Sequence, residues 1–290
     1  MTKIQLDRTQ SLLYAAGVAW GFVAVLYLWK SSLKLDRNHP SQIKRRMLSI
    51  TLYGLLVPPL LFWCLSDKET TSFSSLLISL GWPASLEQCL ETCLRALLLV
   101  LILFSGSLAQ TCLEFYELHS KEEGALQVLH KLIKSHYDMV KHYRLIATRN
   151  YIIGPIFEEI VYRGCICSLL DAGGFSRQTI CLLSPTLFGL AHLHHIIDQI
   201  KNKKTQIQVA VLTVAFQLFY TTLFGIFASI ILLRTRNVLA CILAHSWCNY
   251  LGFPDLSWVV DPKTPHRLAI ASISISGILC FFRWFDWILI

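Results

Sequence analysis

The sequence predicts an all-α, polytopic integral membrane protein with about eight transmembrane helices. Three observations carry that expectation. Of 290 residues, 54% are hydrophobic and only 15% are charged, against about 25% charged in an ordinary soluble domain. Apolar stretches near the roughly 20 residues of a bilayer-crossing helix recur along the whole chain. The basic residues gather in alternate connections between those stretches. The same composition excludes a disordered chain and a short, cysteine-dense secreted scaffold.

The stretches lie at about 11–29, 47–65, 93–110, 149–170, 177–194, 209–233, 237–251 and 268–290. The first reads as a retained anchor rather than a signal peptide, because its apolar run is long and a basic cluster begins at Lys30. Pro58 and Pro59 in the second predict a kink or break. Trp20, Trp29, Trp63, Trp258, Trp284 and Trp287 stand toward span ends, where amphipathic rings anchor among headgroups. In the connection 111–148, Leu126, Leu129, Ile133, Tyr137 and Val140 recur at three- and four-residue steps, with Lys131, Lys134, Lys141 and Arg144 between them. That pattern fits a basic amphipathic helix on the membrane surface, and equally an ordinary helix packed on the bundle. No internal repeat or separate soluble module is present, so 1–290 reads as one multi-span domain.

The net charge of +8 could signal nucleic acid or a membrane, and position decides. Connections 30–46, 111–149, 201–204 and 263–267 hold seventeen of the 26 Lys and Arg residues. The opposite side holds six: Lys3, Arg8, Lys68, Arg177, Arg234 and Arg236. By the positive-inside rule the first set is cytosolic and both termini lie across the membrane from it. The charge is a topology signal, with lipid as the partner and no nucleic acid.

Ten cysteines contain no CxxC pair, which argues against a zinc knuckle or a thioredoxin-like motif. Within spans they read as small hydrophobes. Cys248, beside His245, is the one that could serve as a thiol nucleophile.

Charged groups cost roughly 2.5–3.5 kcal/mol each at the centre of a membrane helix, so the few present need a purpose. They concentrate in Glu158-Glu159-Ile160-Val161-Tyr162-Arg163, in Phe188-Gly189-Leu190-Ala191-His192, and in His245-Ser246-Trp247-Cys248-Asn249. Glu159 and Arg163 are four apart with the acid first, the favourable order for an ion pair. Glu158 points about 100° away and is free to work. His245 and Asn249 share a face and offer two donors to a common point, as an oxyanion site requires. His192 and His195 also share a face, while Asp198 could orient His194 or His195.

Together Glu158, His192, His245 and Asn249 supply a base, a proton carrier and two donors, an inventory for hydrolysing an acyl bond. The same residues would fit a His₂Glu zinc site, although no HExxH helix is present. A transporter with a polar core, or a scaffold that binds lipidated proteins, would also place such groups inside spans.

The patterns EExxxR (Glu158, Glu159, Arg163), FxxxH (Phe188, His192) and HxxxN (His245, Asn249) resemble the CAAX protease and bacteriocin-processing family. Arg37-Asn38-His39-Pro40, Ile43-Lys44-Arg45-Arg46 and Phe188 through His195 bring the chain nearest its type II CAAX prenyl endopeptidases. The resemblance implies an endoplasmic reticulum protease, needing no metal or other cofactor, with its catalytic core at about 149–251. Its site would open to the cytosol and remove the last three residues after a prenylated cysteine. Substrates would be farnesylated or geranylgeranylated CAAX proteins such as Ras- and Rho-like small GTPases. Glu158 and His192 would activate water, His245 and Asn249 would form the oxyanion hole, and Glu159 and Arg163 would support them.

Overall fold

A computed structural model describes residues 6–29, 35–65, 72–119, 124–201, 205–253 and 266–289. Lys3, Lys30, Lys34, Lys68, Lys121, Lys203, Lys204, Lys263 and Trp258 lie outside them, as does the side chain of Trp287. Among the described residues there are helices and no strands. They are α1 (Arg8–Ala24, with one tighter turn Val25–Tyr27), α2 (Pro40–Leu65), α3 (Phe73–Ser79), α4 (Leu86–Leu103), α5 (Ser105–His119) and α6 (Ala125–His142). A helical run, α7 (144–172), follows, then α8 (Arg177–Ala191, running on to Lys201), α9 (Ile207–Thr235), α10 (Val238–Leu251) and α11 (Arg267–Leu289).

Local sequence sets where these helices start. Asp7 and Gln10 cap each other at α1, and Ser72, Ser85 and Ser176 accept from the amides of Ser75, Gln88 and Thr179. Asn237 accepts from the amides of Leu239 and Ala240. Each cap satisfies an amide that the first turn leaves without an intrahelical partner. Between α9 and α10 the chain reverses over Arg236 and Asn237, with Arg236 left-handed at φ 50°.

Contacts sort the two ends of the bundle. At one end Arg149 Nη1 donates to the Arg37 carbonyl at 3.1 Å, and Asn249 Nδ2 donates to the Asn150 carbonyl at 2.9 Å. At the other, Ser11 Oγ donates to the Leu169 carbonyl, Ser168 Oγ to the Ser79 carbonyl, and Gln88 Nε2 to the Thr235 carbonyl. Arg37 and Arg149 thus stand apart from Arg8, Arg177 and Arg234, which begin or end helices at the far end.

Eight helical runs follow the eight apolar stretches, but fewer qualify as crossings by length and composition. Among the described residues five helices are long and apolar enough, and α4 with α5, bent by 64° between them, makes up to a sixth. Helix α10 has 14 residues, and α7 is assembled from shorter helical pieces. These two carry most of the polar site, which explains their departure from a plain apolar rod. Of the kink or break expected at Pro58-Pro59, a break is not found: α2 continues from Pro40 to Leu65 with both prolines inside it. The hydrogen bonds on either side hold the helix where two amide donors are missing.

Leu55, Leu56, Leu60 and Trp63 on α2, Leu212 and Phe219 on α9, and Leu279 and Phe282 on α11 are exposed. Such a surface suits lipid. On α6 the stripe Leu126, Leu129, Ile133 and Tyr137 is likewise exposed, with Val128 buried. Val140 of the same stripe is half-buried, so the bundle covers only part of that face.

Candidate active site

The backbone of α7 is unusual where the carboxylates sit. Wide π-type turns at Arg149–Ile153 and Ile160–Ile166 flank the short α-helical piece Gly154–Glu159. Such turns shift the phase of a helix and re-aim the side chains beyond them. Glu159 is fully buried, whereas the Glu158 side chain keeps a quarter of its surface accessible.

The ion pair expected from the spacing is present, with Arg163 Nη1 3.0 Å from Glu159 Oε1 and both side chains fully buried. The same oxygen also accepts from His245 Nδ1 at 2.7 Å. That second bond joins α7 to α10, and no spacing within one helix could have announced it. The Arg163 guanidinium lies 4.7 Å from the Phe188 ring centre and 5.6 Å from that of Phe224. Two aromatic faces thus replace water around a buried cation. Gly225 makes room for it, since a Cβ there would lie 2.8 Å from Pro185 Cβ and 3.2 Å from Arg163 Nη2.

His245 is held on both sides. With Nδ1 on Glu159, its Nε2 lies 3.7 Å from Glu158 Oε2, beyond hydrogen-bond length. Its ring rests against Phe224, with centroids 4.6 Å apart. His192 Nδ1 donates to the Phe188 carbonyl at 2.8 Å, which leaves Nε2 as the nitrogen for chemistry. Asn249 gives one amide N–H to Asn150, and a carboxamide has a second to offer.

Glu158, His192, His245 and Asn249 all line one cavity of about 1040 Å³. Glu159 and Arg163 stand behind its wall. The apolar part of the lining includes Phe22, Leu26, Ile50, Phe104, Phe224, Phe227 and Phe281. Arg37, Arg149 and Asn150 line the cavity too, and the sequence reading gave them no chemical role. Arg37 belongs to Arg37-Asn38-His39-Pro40, Arg149 reads from the sequence only as a topology charge, and Phe224 sits in an apolar helix that gives no signal. His194 Nδ1 donates to the Ala191 carbonyl at 2.6 Å, and His195 Nδ1 lies 3.4 Å from Arg37 Nη1.

Among the described residues, no three His, Cys, Asp or Glu side chains are grouped so as to hold a metal ion. All ten cysteines are free, and Cys248 alone of them lines the cavity. If a thiol were the nucleophile, Cys248 would have to be it. Cys248→Ala is expected to keep activity within about twofold of the parent in a peptide-cleavage assay, and loss of activity would revive the thiol.

Residues 141–251 match a family model described as type II CAAX prenyl endopeptidase Rce1-like. CAAX prenyl protease 2 of Homo sapiens is 34% identical over 248 residues, which cover 84% of this chain and 71% of that protein. The chain belongs to the type II CAAX prenyl endopeptidase family. Further relatives of this family are the CAAX prenyl protease 2 of Saccharomyces cerevisiae and that of Arabidopsis thaliana. The yeast protein is 28% identical over 295 residues, covering 93% of this chain and 89% of the relative. The plant protein is 35% identical over 167 residues, covering 55% and 53%. No solved structure matches the chain. The stretch that matches the type II CAAX prenyl endopeptidase model runs from the end of α6 through α10, the part that carries Glu158, His192, His245 and Asn249.

Proposed function

We propose that the chain is an intramembrane endopeptidase that removes the C-terminal three residues, aaX, from prenylated CAAX proteins. The observation that carries this reading is the meeting of Glu158, His192, His245 and Asn249 in one cavity that also has a large apolar wall. The names of the relatives support the substrate class.

In this reading Glu158 takes the proton from a water that attacks the carbonyl of the prenylated cysteine. His192, with Nδ1 engaged by the Phe188 carbonyl, holds that water through Nε2. His245 and Asn249 receive the developing oxyanion, a role worth roughly 2.7–4 kcal/mol per donor in soluble proteases. A His245 ring that donates through both nitrogens carries a positive charge, and Glu159 is its counter-charge on the Nδ1 side. Arg163 shares that carboxylate and keeps it in place. The prenyl chain takes the apolar walls. The seventeen-to-six distribution of basic residues supports entry of the peptide tail from the cytosol, and an endoplasmic reticulum membrane suits substrates such as Ras- and Rho-like small GTPases. The alternatives of a zinc protease and a polar-core transporter use the same side chains.

The test is cleavage of a farnesylated CAAX peptide by the purified full chain, beside the same peptide without its prenyl group. The expected result is release of the intact tripeptide from the farnesylated peptide only, unchanged after strong chelation. Activity lost on chelation and restored by zinc would support the metalloprotease, and no cleavage at all would sink the reading.

A further inference from the structure

Arg37 lines the same cavity as Glu158 and His192, yet the chemistry above gives it nothing to do. The turn that carries it is firmly built. The Asn38 amide donates to Asp36 Oδ1 at 2.7 Å, and the His39 amide to the Asp36 carbonyl at 3.0 Å. From α7, Arg149 clamps this turn with Nη1 on the Arg37 carbonyl at 3.1 Å and Nη2 on Asn38 Oδ1 at 3.0 Å. Its Nε donates to Asn150 Oδ1 at 2.9 Å. Arg149 therefore spends its guanidinium on holding Arg37 in position.

Among the described residues the Arg37 guanidinium makes one hydrogen-bond contact, a long one of 3.4 Å from Nη1 to His195 Nδ1. Behind it Arg46, also in the cavity wall, is buried with its Nε lacking any hydrogen-bond partner and its guanidinium 5.8 Å from the Tyr27 ring centre. Two carboxylates act on this group: Asp36, which caps the turn, and the buried Asp198. The Glu158 carboxylate of the same cavity also lies in the field of Arg37. Arg46 is the buried member of the three guanidiniums, and a buried cation gains when an anion arrives beside it.

We propose that Arg37, backed by Arg46 and positioned by Arg149, binds the free C-terminal carboxylate of the substrate tail. The inference rests on the proposed endopeptidase reading and adds a specificity determinant to it. An enzyme that removes a fixed number of residues needs a fixed point on the far side of the scissile bond. The terminal carboxylate provides one, about 10 Å from the reacting carbonyl when three residues are extended. Arginine suits it, because a planar guanidinium can grip both carboxylate oxygens at once.

The experiment compares two farnesylated peptides that differ only at the C-terminus, one a free acid and one an amide, with the purified full chain. For the parent, the amide is expected to show a KM about tenfold above the acid with kcat little changed, the loss of one charge-assisted pair. In Arg37→Gln the acid-to-amide ratio should collapse to about one, and Arg37→Lys should recover part of it. Equal KM values for the two peptides with the parent protein would overturn the proposal, as would an unchanged ratio in Arg37→Gln. Loss of cleavage of both peptides in Arg37→Gln also counts against it, by placing Arg37 in the fold or the chemistry rather than in tail binding. If the parent cleaves neither peptide, the endopeptidase reading fails first.

Discussion

Replacing Glu158 by Gln is expected to lower tripeptide release by about a hundredfold or more while the protein keeps its thermal stability. A positioned general base contributes about 10²–10⁴-fold, and a carboxamide of the same size cannot take the proton. Stability should hold because, among the described residues, no side-chain hydrogen bond to this carboxylate is found: His245 Nε2 is 3.7 Å away. Removing a charge from the membrane interior relieves a cost of roughly 2.5–3.5 kcal/mol at a helix centre, so the melting temperature should stay level or rise. Substantial turnover in Glu158→Gln would remove Glu158 from the role of base.

The second large effect has the opposite character. Arg163→Met should lower stability by about 3–5 kcal/mol, the usual cost of stripping one partner from a buried ion pair. Methionine fills much of the space between Phe188 and Phe224 but leaves Glu159, which is fully buried, with only the His245 N–H. Thermal unfolding in detergent should register a drop on the order of 10 °C. The double variant Glu159→Gln with Arg163→Met should recover part of this, since a neutral amide still accepts from His245 Nδ1 and no charge is stranded. An Arg163→Met protein as stable as its parent would mean that the pair contributes nothing to the fold.

These two effects trace what could be read from the sequence and what could not. Every apolar stretch is helical, because each is long enough to satisfy its own backbone and too apolar to face water. That Glu159 pairs with Arg163 while Glu158 faces elsewhere follows from helical phase. What lay hidden is contact between distant segments. Nothing in HxxxN says that His245 shares a carboxylate oxygen with Arg163, or that Asn249 spends an N–H on Asn150. The number of crossings was read from apolar length, which cannot reveal that α4 and α5 bend by 64°. Nor could it reveal that α7 is a chain of shorter pieces. At Pro58-Pro59 the helix continues without a break, a choice between kink and break that the prolines alone could not make.

The π-type turns on either side of Glu158 also constrain how the gene can vary. Adding or deleting one residue in an ordinary helix turns everything beyond it by about 100°. Between 149 and 166 such a slip would swing the working carboxylate out of the cavity or pull Arg163 off its partner. A one-residue insertion or deletion between Arg149 and Ile166 is therefore expected to cost more activity than one placed in a connection.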